Sequence, residues 1–245
     1  MNYKKINYNE YATQYSLHRN ASSRVVEHIM DRLEDYKISK VLEVGCGTAD
    51  HLFVLKENIG FEAHGFDKST EMIKAGQQKN PGLHLAEGDA NNAFPYEEGT
   101  FDLVFSINVI HYIENLENYF KEAFRVADGH GVVLTIIANR DKMKKSMGKY
   151  FPEMNKDIQS TDSFIELISS NMKNAGFEDI RVTNTDYDYN MKAADIDAFK
   201  NKVFAWVRLL SEECYAQGIA LMEEDFRQGK CLGSENFTYI WGFKK

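Results

Sequence analysis

Hydrophobic spacing divides this chain into alternating strands and helices. Short runs of branched or aromatic apolar residues predict strands over 40–44, 61–67, 83–87, 100–107, 132–138, 180–185 and 237–243. Between them, apolar residues recur at steps of three and four, the period of a helix with one buried face. Val25, Val26, Ile29, Met30 and Leu33 make such a stripe within 21–36. Met72, Ile73 and Ala75 follow a capping Ser69, and Leu116, Tyr119, Phe120, Ala123 and Phe124 share one side of 116–126. A helix over 160–175 is capped by Thr161 or Asp162 and stopped by Gly176. A leading helix over 9–19 is tyrosine-rich, with Tyr8, Tyr11 and Tyr15 at helical spacing. This alternation predicts one α/β domain, spanning 1–245, around a mostly parallel sheet.

Residues 187–233 interrupt the alternation before the last strand. Two helices are predicted there, 195–210 and 211–227, the first with Ile196, Phe199, Val203, Trp206 and Leu210 on one face. We read this insertion, together with the N-terminal helices of 1–36, as a cap that excludes water and shapes a ligand site.

The chain is organised around 40–50, where a buried strand runs into Gly45-Cys46-Gly47. The glycines permit a sharp turn and close approach of a ligand, and a bulky replacement at Gly45 is expected to block that approach. Thr48 is placed to cap the next helix, whose N-terminus presents free N–H groups. Glu43 lies two residues before the turn, and Asp67 ends the second strand twenty residues after Gly47, the spacing at which an acid meets a ribose. A dinucleotide fingerprint has a third glycine where this chain has Asp50. A pyrophosphate would meet extra negative charge there, whereas a nucleoside with a cationic amino group suits Glu43 and Asp50. Ligands of open parallel sheets sit outside the carboxyl ends of the strands, which brings Ser106, Asn108, His111 and Tyr112 toward a reacting group.

These residues resemble the class I S-adenosylmethionine-dependent methyltransferases of the small-molecule type. The resemblance rests on E-V-G-C-G-T at 43–48, Asp67, E-G-D-A at 87–90 and F-P-Y-E-E-G-T-F-D-L-V-F-S at 94–106. It implies a doubly wound, mostly parallel seven-stranded sheet, the Rossmann-like methyltransferase fold, with its last strand antiparallel. It implies methyl transfer from S-adenosylmethionine, leaving S-adenosylhomocysteine. Asp89 and Ala90 match the positions that meet adenine. The cofactor set is then Tyr15, Arg19, Glu43, Gly45, Cys46, Gly47, Asp67, Lys68, Met72, Asp89, Ala90 and Ser106. Tyr11, His18, Asn108, Tyr112, Arg140 and Trp206 are candidates for the acceptor side, and His111 for a general base. Three rival readings stay open: a cofactor-binding module without turnover, an RNA or protein acceptor, and a nicotinamide-dependent oxidoreductase.

Composition narrows the partners. A formal charge of −8 disfavours general affinity for nucleic acid. The basic run Arg140, Lys142, Lys144, Lys145 and Lys149 reads as a solvated helix face. Cys46, Cys214 and Cys231 are too far apart to suggest a metal set or a disulfide framework, and no metal is expected. Neither an apolar signal core at 1–5 nor a membrane-spanning run is present, so a cytoplasmic enzyme, monomeric or homodimeric, with a small-molecule partner is expected.

Overall fold

The computed structural model describes residues 6–155 and 160–245. Its strands are β1 (Lys40–Val44), β2 (Glu62–Asp67), β3 (His84–Glu87), β4 (Phe101–Ile107), β5 (Ala127–Ala138), β6 (Asp179–Asn184), β7 (Asp188–Asn190), β8 (Leu232–Ser234) and β9 (Phe237–Phe243). Seven of them form one sheet in the order β3-β2-β1-β4-β5-β9-β6. The first five run parallel, and β9 is antiparallel to both of its neighbours. The chain moves outward from β1 in one direction and returns to continue from β4 in the other. That reversal opens a crevice beyond the carboxyl ends of β1 and β4.

Helices cover both faces: α1 (Ala12–His18), α2 (Ser23–Leu33), α3 (Asp50–Ile59), α4 (Thr70–Lys79), α5 (Leu116–Val126), α6 (Arg140–Met147), α7 (Thr161–Ala175), α8 (Ala193–Lys200) and α9 (Glu212–Arg227). Side chains alternate along each strand, so each strand feeds two cores. Val41, Phe105 and Leu134 meet Val25, Ile29 and Leu52 on the side of α2 and α3. Leu42, Val104 and Val133 meet Phe120 and Ile168 on the side of α5 and α7. Asp102 accepts the Ser39 and Lys40 N–H groups at 2.6 and 2.7 Å, fixing the start of β1 beside β4. No helix among the described residues is long and apolar enough to cross a membrane.

Several local expectations are corrected. Ser160, rather than Thr161 or Asp162, caps α7 through the Ser163 N–H. β5 starts at Ala127; Phe101 faces Ala127 while Leu103 faces Val132, so 128–131 bulge from the ladder. The helix expected over 195–210 stops at Lys200. Lys202 adopts φ 47°, its N–H returns to Phe199 O, and the Val203 N–H returns to Ala198 O. Those two bonds close the helix as a Schellman motif, and a 3-10 turn, Ala205–Leu209, follows.

The insertion also carries the hairpin β7–β8, which periodicity did not disclose. Its helices pack with residues from 147–154 into a core of their own, including Phe151, Phe199, Trp206 and Met222. The segment leaves and rejoins the sheet at one point. Thr185 N–H bonds Phe237 O at 2.9 Å, and Glu235 N–H bonds Tyr187 O at 2.8 Å.

Candidate functional site

The turn after β1 is knitted to the end of β2. Cys46 N–H donates to Phe66 O at 3.0 Å, and Gly47 N–H donates to Asp67 Oδ2 at 2.9 Å. Asp67 Oδ1 accepts the Ser69 N–H, and Ser69 caps α4. The two glycines serve different neighbours. Gly45 has φ 65°, and a Cβ there would lie 2.6 Å from Val109 Cγ2. Gly45 therefore makes room for the chain after β4, rather than for a ligand as expected. At Gly47 (φ 55°) a Cβ would meet nothing nearer than the Tyr15 ring at 3.9 Å, so this is the glycine with an open face.

Thr48 does not cap α3. Ala49 occupies that position with φ 58°, and the Thr48 hydroxyl donates to Asp50 Oδ2 at 2.7 Å. Asp50 also accepts Asn80 Nδ2 at 3.1 Å and pairs with Lys79 at 2.9 Å. Its charge is thus engaged within the protein instead of facing a ligand.

A cavity lies beyond the carboxyl ends of β1 to β4. Eleven of the twelve expected cofactor residues line it: Tyr15, Arg19, Glu43, Gly45, Cys46, Gly47, Asp67, Lys68, Met72, Asp89 and Ala90. Ser106 does not; it is buried within β4. Of the acceptor-side candidates, Asn108 and Tyr112 line the cavity. Asn108 is held in a left-handed conformation, φ 56°, while its Oδ1 accepts the Ala138 N–H. Tyr11 and His18 do not line it; Tyr11 is buried, its ring 6.4 Å from that of Tyr15, and the Arg140 guanidinium lies over the Phe164 ring at 4.9 Å. Trp206 packs edge-on against Phe151 within the insertion's core. His111 sits beside Tyr112, with ring centroids 4.3 Å apart.

None of 187–233 lines the cavity among the described residues. Instead the insertion backs the N-terminal segment through arginine–aromatic contacts. Arg208 lies 3.7 Å from the Tyr11 ring centre, Arg24 3.2 Å from that of Tyr187, and Arg19 5.5 Å from that of Phe204. The N-terminal segment is held to the sheet side by the Ser69 hydroxyl, which donates to Asn9 Oδ1, and by Lys79, which donates to Ser16 O and Arg19 O. Tyr8 and Tyr112 are hydrogen bonded through their hydroxyls at the cavity.

Burial dominates the electrostatics. Glu43 Oε2 is buried with no hydrogen-bond partner, and desolvation, with Asp50 nearby, pushes the Glu43 carboxyl well above the carboxylate range. Burial also raises Asp67, against the lowering effect of its two N–H donors. Burial pushes His51 down to about 3, helped by the Arg19 charge. His51 Nε2 accepts the Ser22 N–H at 3.1 Å, so the neutral ring carries its proton on Nδ1. Burial, with Arg140 nearby, likewise pushes His111 down to about 3.

His51 and Asn91 line the cavity without having been singled out by sequence, and so does Tyr8, which was noted for its spacing but given no role at a site. Tyr8 precedes the tyrosine pair, and its spacing was a usable signal. His51 gave none, because its tautomer depends on a backbone donor from the distant start of α2. Outside the cavity, Glu62, His64 and His84 each bring a donor atom within 4.8 Å of the others, although no metal set was expected.

A family model described as a methyltransferase domain matches residues 42–135. The demethylmenaquinone methyltransferase of Staphylococcus epidermidis is 36% identical over 119 residues, 45% of this chain and 47% of that protein. The norajmaline N-methyltransferase of Rauvolfia serpentina is 32% identical over 112 residues, 43% of this chain and 38% of that protein. The chain thus spans less than half the length of either relative. Among solved structures, a protein described as a methyltransferase from an antibiotic biosynthesis pathway of Anabaena variabilis superposes with TM-score 0.65 at 20% identity. That match covers 92% of this chain and 98% of the other. A phosphoethanolamine N-methyltransferase of Haemonchus contortus, solved with phosphomonomethylethanolamine and S-adenosylhomocysteine, gives 0.58 at 19% identity. It covers 90% of this chain and 52% of that one.

Proposed function

We infer that this chain, built on a methyltransferase domain over residues 42–135, transfers a methyl group from S-adenosylmethionine to a small-molecule acceptor. The observation that carries this reading is the Asp67 carboxylate, hydrogen bonded to Gly47 N–H at the cavity wall. Two features fit the cofactor. Glu43 Oε2 is a buried acceptor without a partner, and Gly47 leaves its face to the cavity open. When bound, S-adenosylmethionine supplies an electrophilic methyl on its sulfonium for in-line displacement.

The chain's own residues divide the work of binding. Asp67 has lone pairs left over from Gly47 and Ser69 to accept the ribose hydroxyls. Asp89 and Ala90 flank the adenine end. Glu43 takes the amino group of the methionyl portion, whose charge restores the carboxylate. Arg19 and the Nδ1–H of His51 hold its carboxylate. The N-terminal helix forms the lid, and the insertion braces it from behind. Tyr8, Asn108 and Tyr112 close the acceptor end, where position and dryness supply most of the rate.

His111 does not line the cavity and is held neutral by a pKa far below neutrality, so it is a poor general base. An acceptor with a free lone pair, such as an amine, suits that arrangement. The charge of −8 weighs against nucleic acid as acceptor. Three free cysteines, Cys46, Cys214 and Cys231, fit a reducing cytoplasmic setting. Calorimetry with S-adenosylhomocysteine, followed by transfer from methyl-labelled cofactor to a metabolite extract, tests the reading. Saturable binding and a labelled small product support it. Binding with no labelled product would leave a cofactor-binding module, and label in protein or RNA would change the acceptor class.

A further inference from the structure

A second group of chemistry-bearing side chains lies at the opening end of β2 and β3. The parallel register sets His64 against His84, and Glu62 lies two residues before His64 on the same face of the sheet. The imidazole rings stack with centroids 4.8 Å apart and planes 22° apart. Glu62 Oε1 lies 2.7 Å from His64 Nε2. One donor atom from each of the three residues lies within 4.8 Å of the other two.

The topology keeps this face open. The chain passes from β3 to β4 through 88–100 without forming a helix, so the layer of α5 and α7 does not extend over the sheet edge. α4 packs on the opposite face of these strands, where Ile73 meets Ala63, Leu83 and Leu85. Tyr96 and Phe101 wall one side of His64, at 5.7 and 5.4 Å between ring centroids. Glu62 and His84 remain exposed on the other side.

We propose that Glu62, His64 and His84 bind a divalent transition-metal ion, Zn²⁺ in the first instance. Two imidazoles and one carboxylate form a borderline donor set that suits Zn²⁺, Ni²⁺ or Cu²⁺ and is a poor match for Ca²⁺ or Mg²⁺, which take oxygen. Three protein ligands leave the fourth tetrahedral position to water. Tetrahedral Zn²⁺ with bonds of about 2.0–2.1 Å needs donors roughly 3.3 Å apart, within reach of side-chain rotation from the present separation. His64 would ligate through Nε2, with its proton on Nδ1, and Glu62 would exchange its hydrogen bond for a metal bond. Lys40, 3.3 Å from Glu62 Oε2, is the competing cation. That pair is solvent-exposed and worth little, so a divalent ion displaces it at small cost.

The consequence for the fold is a clamp on the edge strand. β3 is only four residues long and is held by β2 alone. His64 precedes Asp67 by three residues, roughly 10 Å along the strand. A metal at the opening end would therefore fix the two strands whose far ends carry Asp67 and Asp89, without touching the cavity.

The test is calorimetric titration of the tag-free full chain with ZnCl₂, paired with Co²⁺ absorption to report coordination. We expect one equivalent with a dissociation constant of roughly 1–100 µM and visible tetrahedral Co²⁺ bands. His64→Ala and His84→Ala should each weaken Zn²⁺ binding at least about tenfold, with Glu62→Gln in the same direction. His130→Ala, at an exposed histidine elsewhere, should leave it unchanged. Far-UV circular dichroism establishes that each variant is folded. Absence of saturable Zn²⁺ binding up to about 1 mM would overturn the proposal, as would wild-type affinity in the His64→Ala/His84→Ala double variant. Neither outcome bears on cofactor binding, which is measured separately.

Discussion

The Asp67 carboxylate accepts the Gly47 N–H at 2.9 Å, which makes the acid ending β2 and the turn leaving β1 one hydrogen-bonded unit. Asp67→Ala removes both the proposed ribose acceptor and the bond that holds the turn. Calorimetry with S-adenosylhomocysteine should show a loss of about 1–3 kcal/mol. Wild-type affinity would remove Asp67 from the site.

Gly45 and Gly47 should respond differently to a side chain. Gly45→Val drives a branched Cβ into Val109 and should lower stability by about 1–3 kcal/mol or more, read as a fall in Tm. Gly47→Ala should cost about 1 kcal/mol, the strain of a positive φ, yet impair cofactor binding far more than stability. Equal Tm values for the two variants would contradict this division.

His51 makes the fold acid-sensitive in a defined window. Its folded pKa is about 3, against an ordinary 6.5, so over that range the unfolded chain takes up a proton that the folded chain refuses. The stabilisation is complete above about pH 6.5 and is lost as pH falls toward 3. His111, also held near 3, acts in the same direction. Glu43 and Asp67, raised by burial, act in the opposite one. Comparing His51→Gln with the parent isolates one group: the variant's Tm should fall less steeply between about pH 7 and about pH 4. Parallel curves would show that His51 is not buried in its neutral form.

Trp206 was an acceptor candidate by sequence, but it is buried against Phe151 and Phe199. Trp206→Ala should cost about 3–5 kcal/mol of stability in the insertion. Tyr8→Phe, which removes only the hydroxyl bonded to Tyr112, should leave Tm within about 1 kcal/mol of the parent and speed hydrogen exchange in α1. Fast exchange in both proteins would show that the hydroxyl pair does not hold the N-terminal segment in place.

The sheet was legible because its strands are buried on both faces and read as apolar runs, as in β1, β4 and β9. The acids of the cavity were legible because Glu43, Asp67 and Asp89 are tied by chain spacing to glycine turns. Residues whose role depends on a distant partner were not. Thr48 reads as a cap until Ala49 is seen in the left-handed conformation. Trp206 shares a stripe with Val203 and Phe199, but the Schellman turn at Lys202 re-aims everything beyond it. Glu62, His64 and His84 match no motif, because only the register of two parallel strands brings them together.

The insertion departs from β6 and returns to β9 through bonded neighbours, Thr185 with Phe237 and Tyr187 with Glu235. Every register pair of those strands is therefore set outside the excursion. Its length can change without moving the sheet, provided it still packs on Met147, Tyr150, Phe151 and Met154, which complete its hydrophobic cluster from outside. Chimeras that exchange 187–235 between proteins of this architecture should keep their cofactor affinity while trading the bracing behind the lid. The segment behaves as a replaceable brace, separable from the glycine turn and its acids.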